Sequence, residues 1–311
     1  MPKPHPARGV AYALTCLVLL GFMPIISNSR AAEMSALGFA FWLTVWETIF
    51  ALPLFLWELR GPDRGIIGAR LDRRTKTRTA WVTLGMGVVF GLSTWLYVLS
   101  IEKAGAANAA VAIQTYPIHT IFWEYVLLRR RKTALELAIT AVLVATLYYL
   151  GTSGTWRLSG LSPWFLVALS VPFLWAIAHV MIKEELGRTP ITPAQVTFIR
   201  VGLSTVFLGA VLAVSEPAAF AMLSPKAQGW AALMGLVYYL ELVIWFYAMR
   251  HIDVSFGGSI TAPWPALTMV LAVVFLGEAI APYQVGAVAV VIVAIWALTW
   301  AGLAKARRAM S

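Results

Sequence analysis

Candidate ionisable side chains inside long apolar stretches of this sequence are Glu47, His119, Glu124, His179, Arg200 and Glu241. A charge in such surroundings is costly, and it persists where it pairs, faces water or handles a proton. Glu47 or Glu241 could bind and release a proton or meet an ammonium group, and Arg200 could pair with a carboxylate. Known catalytic constellations are missing. There is no Walker lysine motif, His-Glu-x-x-His, Cys-x-x-Cys, nucleophile elbow or dinucleotide fingerprint. The single cysteine, Cys16, allows no intrachain disulfide and reads as a small buried apolar residue. No metal, no cofactor and no enzymatic activity are expected.

The elements that hold these residues follow from composition. Of 311 residues, 60% are hydrophobic and 12% charged, against roughly 45–50% and about 25% in a soluble domain. A bilayer can accommodate that surplus of apolar side chains. Apolar runs predict an all-α membrane protein with ten transmembrane helices at 10–28, 36–57, 80–100, 104–128, 134–151, 162–182, 191–214, 228–249, 254–276 and 283–303. Lys3 and Arg8 before the first run imitate a signal peptide, but nine further runs make it a retained helix.

Nineteen of the 24 Lys and Arg residues fall in the connections of one side and four in those of the other. This places both termini in the cytoplasm, with a basic cytoplasmic loop at 58–79. The basic residues form short clusters between apolar runs, which argues against a nucleic-acid partner. Rising about 1.5 Å per residue, the spans put Glu47, His119, Arg200 and Glu241 at one level, about 12–15 Å from the basic face. Arg200 and Glu241, on adjacent helices, are expected to form an ion pair. Glu124 and His179 lie near the basic face, where they would reach headgroups or water.

The chain also resembles itself. At an offset of 150, Trp95 meets Trp245 and Tyr97 meets Tyr247; at 148, Pro117 meets Pro265 and Thr120 meets Thr268. A five-span repeat has an odd number of crossings, so its copies are inverted, giving two units at 1–153 and 154–311. Mid-helix prolines at matching places, Tyr116-Pro117 and Trp264-Pro265, mark bent helices that in such architectures flank a midplane site. Pro263 adds a second break. Walls for that site are expected from Tyr116, Trp264, Gln114, His119, Trp95, Trp175 and Tyr239, with Tyr238 beside them. Asn108, Thr115 and His119 share one face of helix 4. Trp57, Trp81, Trp123, Trp156, Trp164, Trp230 and Trp300, near span ends, suit an interfacial belt; Trp42 and Trp46 sit deeper. Gly87-x-x-x-Gly91 allows close helix approach.

The second half resembles the EamA-type drug/metabolite transporters. The resemblance rests on the small residues Ser255, Gly257, Gly258 and Ser259, then Trp264-Pro265, Leu276-Gly277-Glu278, Pro282 and Gly286. It covers nearly the whole chain as two tandem units, although Leu128-Arg129-Arg130 replaces Leu-Gly-Glu in the first. The tryptophan content and Tyr116-Pro117 are most similar to the YddG-type aromatic amino acid exporters. The resemblance implies a secondary transporter of the bacterial inner membrane that exports small, amino-acid-like metabolites by alternating access. Export of drug-like cations, or a membrane enzyme acting on lipid-linked substrates, are the rival expectations.

Overall fold

The computed structural model describes residues 5–28, 34–61, 64–104, 112–113, 115–157, 163–221, 224–264, 266–268, 270–271 and 281–310. Its main elements are α1 (Pro6–Asn28), α2 (Ala36–Arg60), α3 (Arg73–Ala104), α4 (Tyr116–Leu128), α5 (Ala134–Gly151), α6 (Pro163–Arg188), α7 (Pro193–Ser215), α8 (Pro225–Met249), α9 (Val254–Thr261) and α10 (Pro282–Met310). Among the described residues there is no strand. Among the described residues, seven helices, α1, α2, α3, α6, α7, α8 and α10, are long and apolar enough to cross a membrane. The described parts of α4 and α9 are shorter than the expected spans 104–128 and 254–276. Gln114, Asn108, Pro265, Leu276, Gly277 and Glu278 lie outside the described residues.

Helix starts are written in the sequence. Ser35 accepts a hydrogen bond from the Gly38 N–H at the start of α2, and Ser224 caps α8 with Pro225 in the first turn. Thr192 and Gln195 form a capping box on α7. Gln195 also donates to the Arg64 carbonyl at 2.8 Å and accepts from the Ile66 N–H at 3.0 Å. A single-turn helix at Gly65–Gly68 is thereby fastened to the base of α7.

Two expected connections are shorter than the apolar runs suggest. The loop placed at 58–79 is helical at both ends, because α2 runs to Arg60 and α3 begins at Arg73. Asp72 accepts from the Thr75 N–H at 3.0 Å, and hydrogen bonding by Thr75 holds its carboxyl below the usual carboxylate range. Arg73, Arg74, Lys76 and Arg78 therefore extend the amino end of α3. Likewise α6 continues to Arg188, through a segment expected to be loop from 183. Its charges find partners there: Glu185 accepts from Thr79 at 2.9 Å and from Arg78 at 3.0 Å, and Lys183 donates to the Ile252 carbonyl at 2.8 Å.

The helices pack in corresponding pairs. α1 packs on α8, and α3 on α6; α2 packs on α8, and α3 on α7; α1 packs on α9, and α4 on α6. Helices α2 and α7, α4 and α9, and α5 and α10 meet each other directly. Gly87 and Gly91 bring α3 onto α7, where a Cβ at Gly87 would lie 2.3 Å from that of Leu203, and Ser204 donates to the Gly87 carbonyl at 2.9 Å. Outward faces are apolar: Val206, Val214, Ile292, Val293 and Trp296 are exposed. Trp57, Trp81, Trp156, Trp164 and Trp300 are exposed near helix ends. Trp42 and Trp46 instead donate to the Ala219 carbonyl and to Gln228, tying α2 to the α7–α8 connection.

Candidate functional site

Between α1, α3, α4, α6, α7, α8 and α9 lies a cavity in which about 100 Å³ is open to the centres of water-sized spheres. Three helical stripes build its wall. Phe90, Thr94 and Tyr97 project from α3, Trp175 and His179 from successive turns of α6, and Tyr238, Glu241 and Trp245 from α8. Arg200 comes from α7 and Tyr116 from the start of α4, with Trp264 just beyond α9. The breaks around Thr115 and around Ala262 and Pro263 set Tyr116 and Trp264 at this level.

Arg200 is the centre of the charges. Its Nη1 lies 3.3 Å from Glu47 Oε1, and its guanidinium stacks over the Phe90 ring at 3.9 Å. The expected ion pair between Arg200 and Glu241 is thus replaced by one with Glu47, which is 2% exposed and does not line the cavity. Glu241 lines the cavity and lies within electrostatic reach of both. Among the described residues no hydrogen bond or ion pair engages its carboxylate; only its backbone carbonyl accepts, from Cys16 Sγ at 3.4 Å. The physical reason is competition: one guanidinium stands within reach of two carboxylates from two helices, and it pairs with the one that α2 delivers, Glu47.

Tyr116 and His179 share a 2.7 Å hydrogen bond from Oη to Nδ1, joining α4 to α6. The His179 ring also contacts Phe90 at 5.1 Å and Trp245 at 5.6 Å between centroids. Gly258 makes room for this arrangement, since a Cβ there would stand 2.7 Å from the Tyr116 ring; at Gly257 it would stand 2.9 Å from Trp245. Among the described residues, three buried nitrogens on the wall find no hydrogen-bond partner: His179 Nε2, Arg200 Nε and Trp245 Nε1. A satisfied core would have paired them.

The structure brings Tyr116, Trp175, Trp264, Arg200, Glu241 and Tyr238 together and leaves other expected residues elsewhere. His119 turns to Phe173 at 5.8 Å, away from the cavity. Trp95 and Tyr239 pack, partly buried, against the two large hydrophobic clusters and do not line the cavity. His179, expected near headgroups, lines the cavity because α6 runs nine residues past it. Glu124, expected to reach water, is fully buried and held by Ser255 and Lys132. Of the matched Trp-x-Tyr motifs, Tyr97 and Trp245 face the cavity, whereas Trp95, the one expected there, does not. The i, i+4, i+7 stripe Phe90-Thr94-Tyr97 was the signal that could have revealed this.

Comparison with known proteins follows this geometry. The model of the EamA-like transporter family matches residues 7–152 and 162–300. A protein of Archaeoglobus fulgidus named an uncharacterized transporter is 23% identical over 292 residues, covering 92% of this chain and 96% of that one. A solved structure, titled only as the crystal structure of a protein, superposes with a TM-score of 0.74 at 17% identity, over 94% of this chain and 98% of the other. That likeness speaks for the fold alone. With a family model matching nearly its whole length, the chain belongs to the EamA-like transporter family and is a multi-pass membrane transporter.

Proposed function

We propose that this chain is a secondary transporter that exports small metabolites, with aromatic and other neutral amino acids as the solute class, by alternating access at the central cavity. The observation that carries the reading is the meeting, in one cavity, of a guanidinium, an unpaired carboxylate and aromatic walls from both halves of the chain. A zwitterion has a carboxylate for Arg200 and an ammonium for Glu241, and Trp175, Tyr97 and Trp264 offer faces to an aromatic or apolar side chain. The similarity of Tyr116-Pro117 and the tryptophan content to the YddG-type exporters supports the same class.

Two five-helix halves in inverted orientation, at 1–153 and 154–311, give ten crossings in this reading. The matched helix pairs support it: exchanging α1–α5 with α6–α10 turns the α1–α8 contact into the α6–α3 contact, and α1–α9 into α6–α4. Rocking of the halves about the cavity then opens it to each side in turn. The loop charges support an inner-membrane protein with both termini in the cytoplasm. Of the two candidate carboxylates, Glu241 is the one that meets solute ammonium or a proton, and Glu47 holds Arg200 in place.

Countertransport in proteoliposomes tests the reading. Vesicles preloaded with unlabelled phenylalanine are expected to take up labelled phenylalanine, tryptophan and leucine with saturation and mutual competition. Uptake of organic cations alone would favour the drug-exporter alternative. Turnover of a lipid-linked substrate without any flux would favour an enzyme.

A further inference from the structure

Outside the cavity, buried charge concentrates where the α4–α5 connection, the α8–α9 connection and the end of α6 meet. Lys132, whose side chain is 5% exposed, lies 3.0 Å from Glu124 Oε2 and 3.1 Å from Asp253 Oδ2. Arg130 lies 2.9 Å from Asp253 Oδ1 and 3.2 Å from Glu184 Oε1. The Glu124 carboxylate also accepts from the Ser255 N–H at 3.1 Å and from its hydroxyl at 2.5 Å. Lys183 donates to the carbonyls of Met249 and Ile252.

Every one of these bonds, apart from those of Lys183 and the Lys132–Glu124 pair, joins residues before 153 to residues after 154. They converge on the start of α9, one turn before Gly258, against which Tyr116 rests. At the opposite end, the described cross-chain contacts are of another kind: Ser35 to Glu216, and the indoles of Trp42 and Trp46 to Ala219 and Gln228. No ion pair joins the two halves there among the described residues. Asp253 sits at the N-cap of α9 yet makes no side-chain cap hydrogen bond; its carboxylate serves Arg130 and Lys132 instead.

We propose that Arg130, Lys132 and Asp253 form a latch that closes the Lys- and Arg-rich face of the transporter over the cavity, and that this face opens by parting Asp253 from both cations. The inference rests on the carrier reading of the cavity. Charge suits a latch because a multi-centred ion pair is strong when dry and weak once water enters the gap, so closed and open states are distinct. Both partners stay charged when closed. Burial raises the Asp253 carboxyl, but Lys132 and Arg130 outweigh it and hold it below its ordinary value. Burial lowers the Lys132 amine, and Glu124 and Asp253 outweigh it and raise it.

The test uses the full chain in vesicles, with Cys16→Ala removing the native thiol and Trp175→Cys placing a reporter on the cavity wall. A membrane-impermeant methanethiosulfonate is offered from each face in turn. The latch predicts slow labelling from the Lys- and Arg-rich face, up to about fivefold faster in Asp253→Asn and in Arg130→Gln, with labelling from the other face falling. Parent-like rates from both faces in both variants would overturn it. Faster labelling from both faces together would mean a loosened bundle and would also overturn it. The readout needs no solute, so a chain that moved no amino acid would defeat the carrier reading while the labelling still judged the latch.

Discussion

Glu124 and Glu47 are both buried carboxylates beside a cation, yet their surroundings differ. Glu124 is engaged by an N–H, a hydroxyl and an ammonium, and Lys132 in turn reaches a second carboxylate. Around Glu47 one guanidinium stands near two carboxylates but pairs with Glu47 only, and among the described residues Glu241 and nitrogens of Arg200, His179 and Trp245 have no partner. A fully connected polar network holds a single arrangement, whereas a partly satisfied one is stable only when something else completes it. The contrast separates a cluster that holds one face of the protein closed from one that awaits a solute at the centre.

Removing one member of the central cluster is the most severe way to break this contrast. Arg200→Met leaves Glu47 buried without its cation and is expected to cost about 3–5 kcal/mol. Adding Glu47→Gln should return most of the loss, as followed by thermal unfolding in detergent. A smaller effect is expected from Gly258→Ala. Its Cβ would meet the Tyr116 ring at 2.7 Å, and overpacking of that kind costs about 1–3 kcal/mol. Displacing Tyr116 from His179 should lower flux more than it lowers melting temperature.

At the charged face the effects are milder. Asp253 and Arg130 have side chains 36% and 38% exposed, so Asp253→Asn should lower stability by at most about 1 kcal/mol. The pH response sharpens the comparison further. Asp253 is held below the ordinary aspartate value, so its contribution is present above that value and fades only as pH falls through the depressed one. Lys132 is raised, so its share is lost only as pH rises through a value above the ordinary lysine range. The ratio of labelling rates from the Lys- and Arg-rich face, Asp253→Asn over parent, should therefore be flat from about pH 5 to 9, the thiolate fraction of the shared reporter cancelling between the two chains.

The membrane class, the positions of the seven long apolar helices and the breaks near Pro117 and Pro263 are legible in composition, run length and proline placement. What could not be read was partnership. Helix α6 was cut short at Lys183 because charges resemble a loop until Met249, Ile252, Arg78 and Thr79 are seen beside them. That error moved His179 to the surface and hid a wall residue. Glu124 was misplaced for the same reason, since Lys132 and Ser255 come from other parts of the chain. Arg200 was matched with Glu241 by depth, whereas azimuth around the helices hands it to Glu47. Depth is a one-dimensional coordinate, and pairing needs the other two.

The most direct measurement compares countertransport of labelled phenylalanine by Glu241→Gln and Asp253→Asn chains with that of the parent, in proteoliposomes with matched amounts of folded protein. If the unpaired carboxylate at the centre receives the solute, Glu241→Gln loses at least about tenfold in flux at low phenylalanine, the scale of one charge-assisted contact. Asp253→Asn keeps flux at low phenylalanine within a few-fold of the parent, because it shifts only the balance of the two open states. A Glu241→Gln chain that transports like the parent, or an Asp253→Asn chain that loses as much flux at low phenylalanine, would contradict the assignment of the solute to the central cavity.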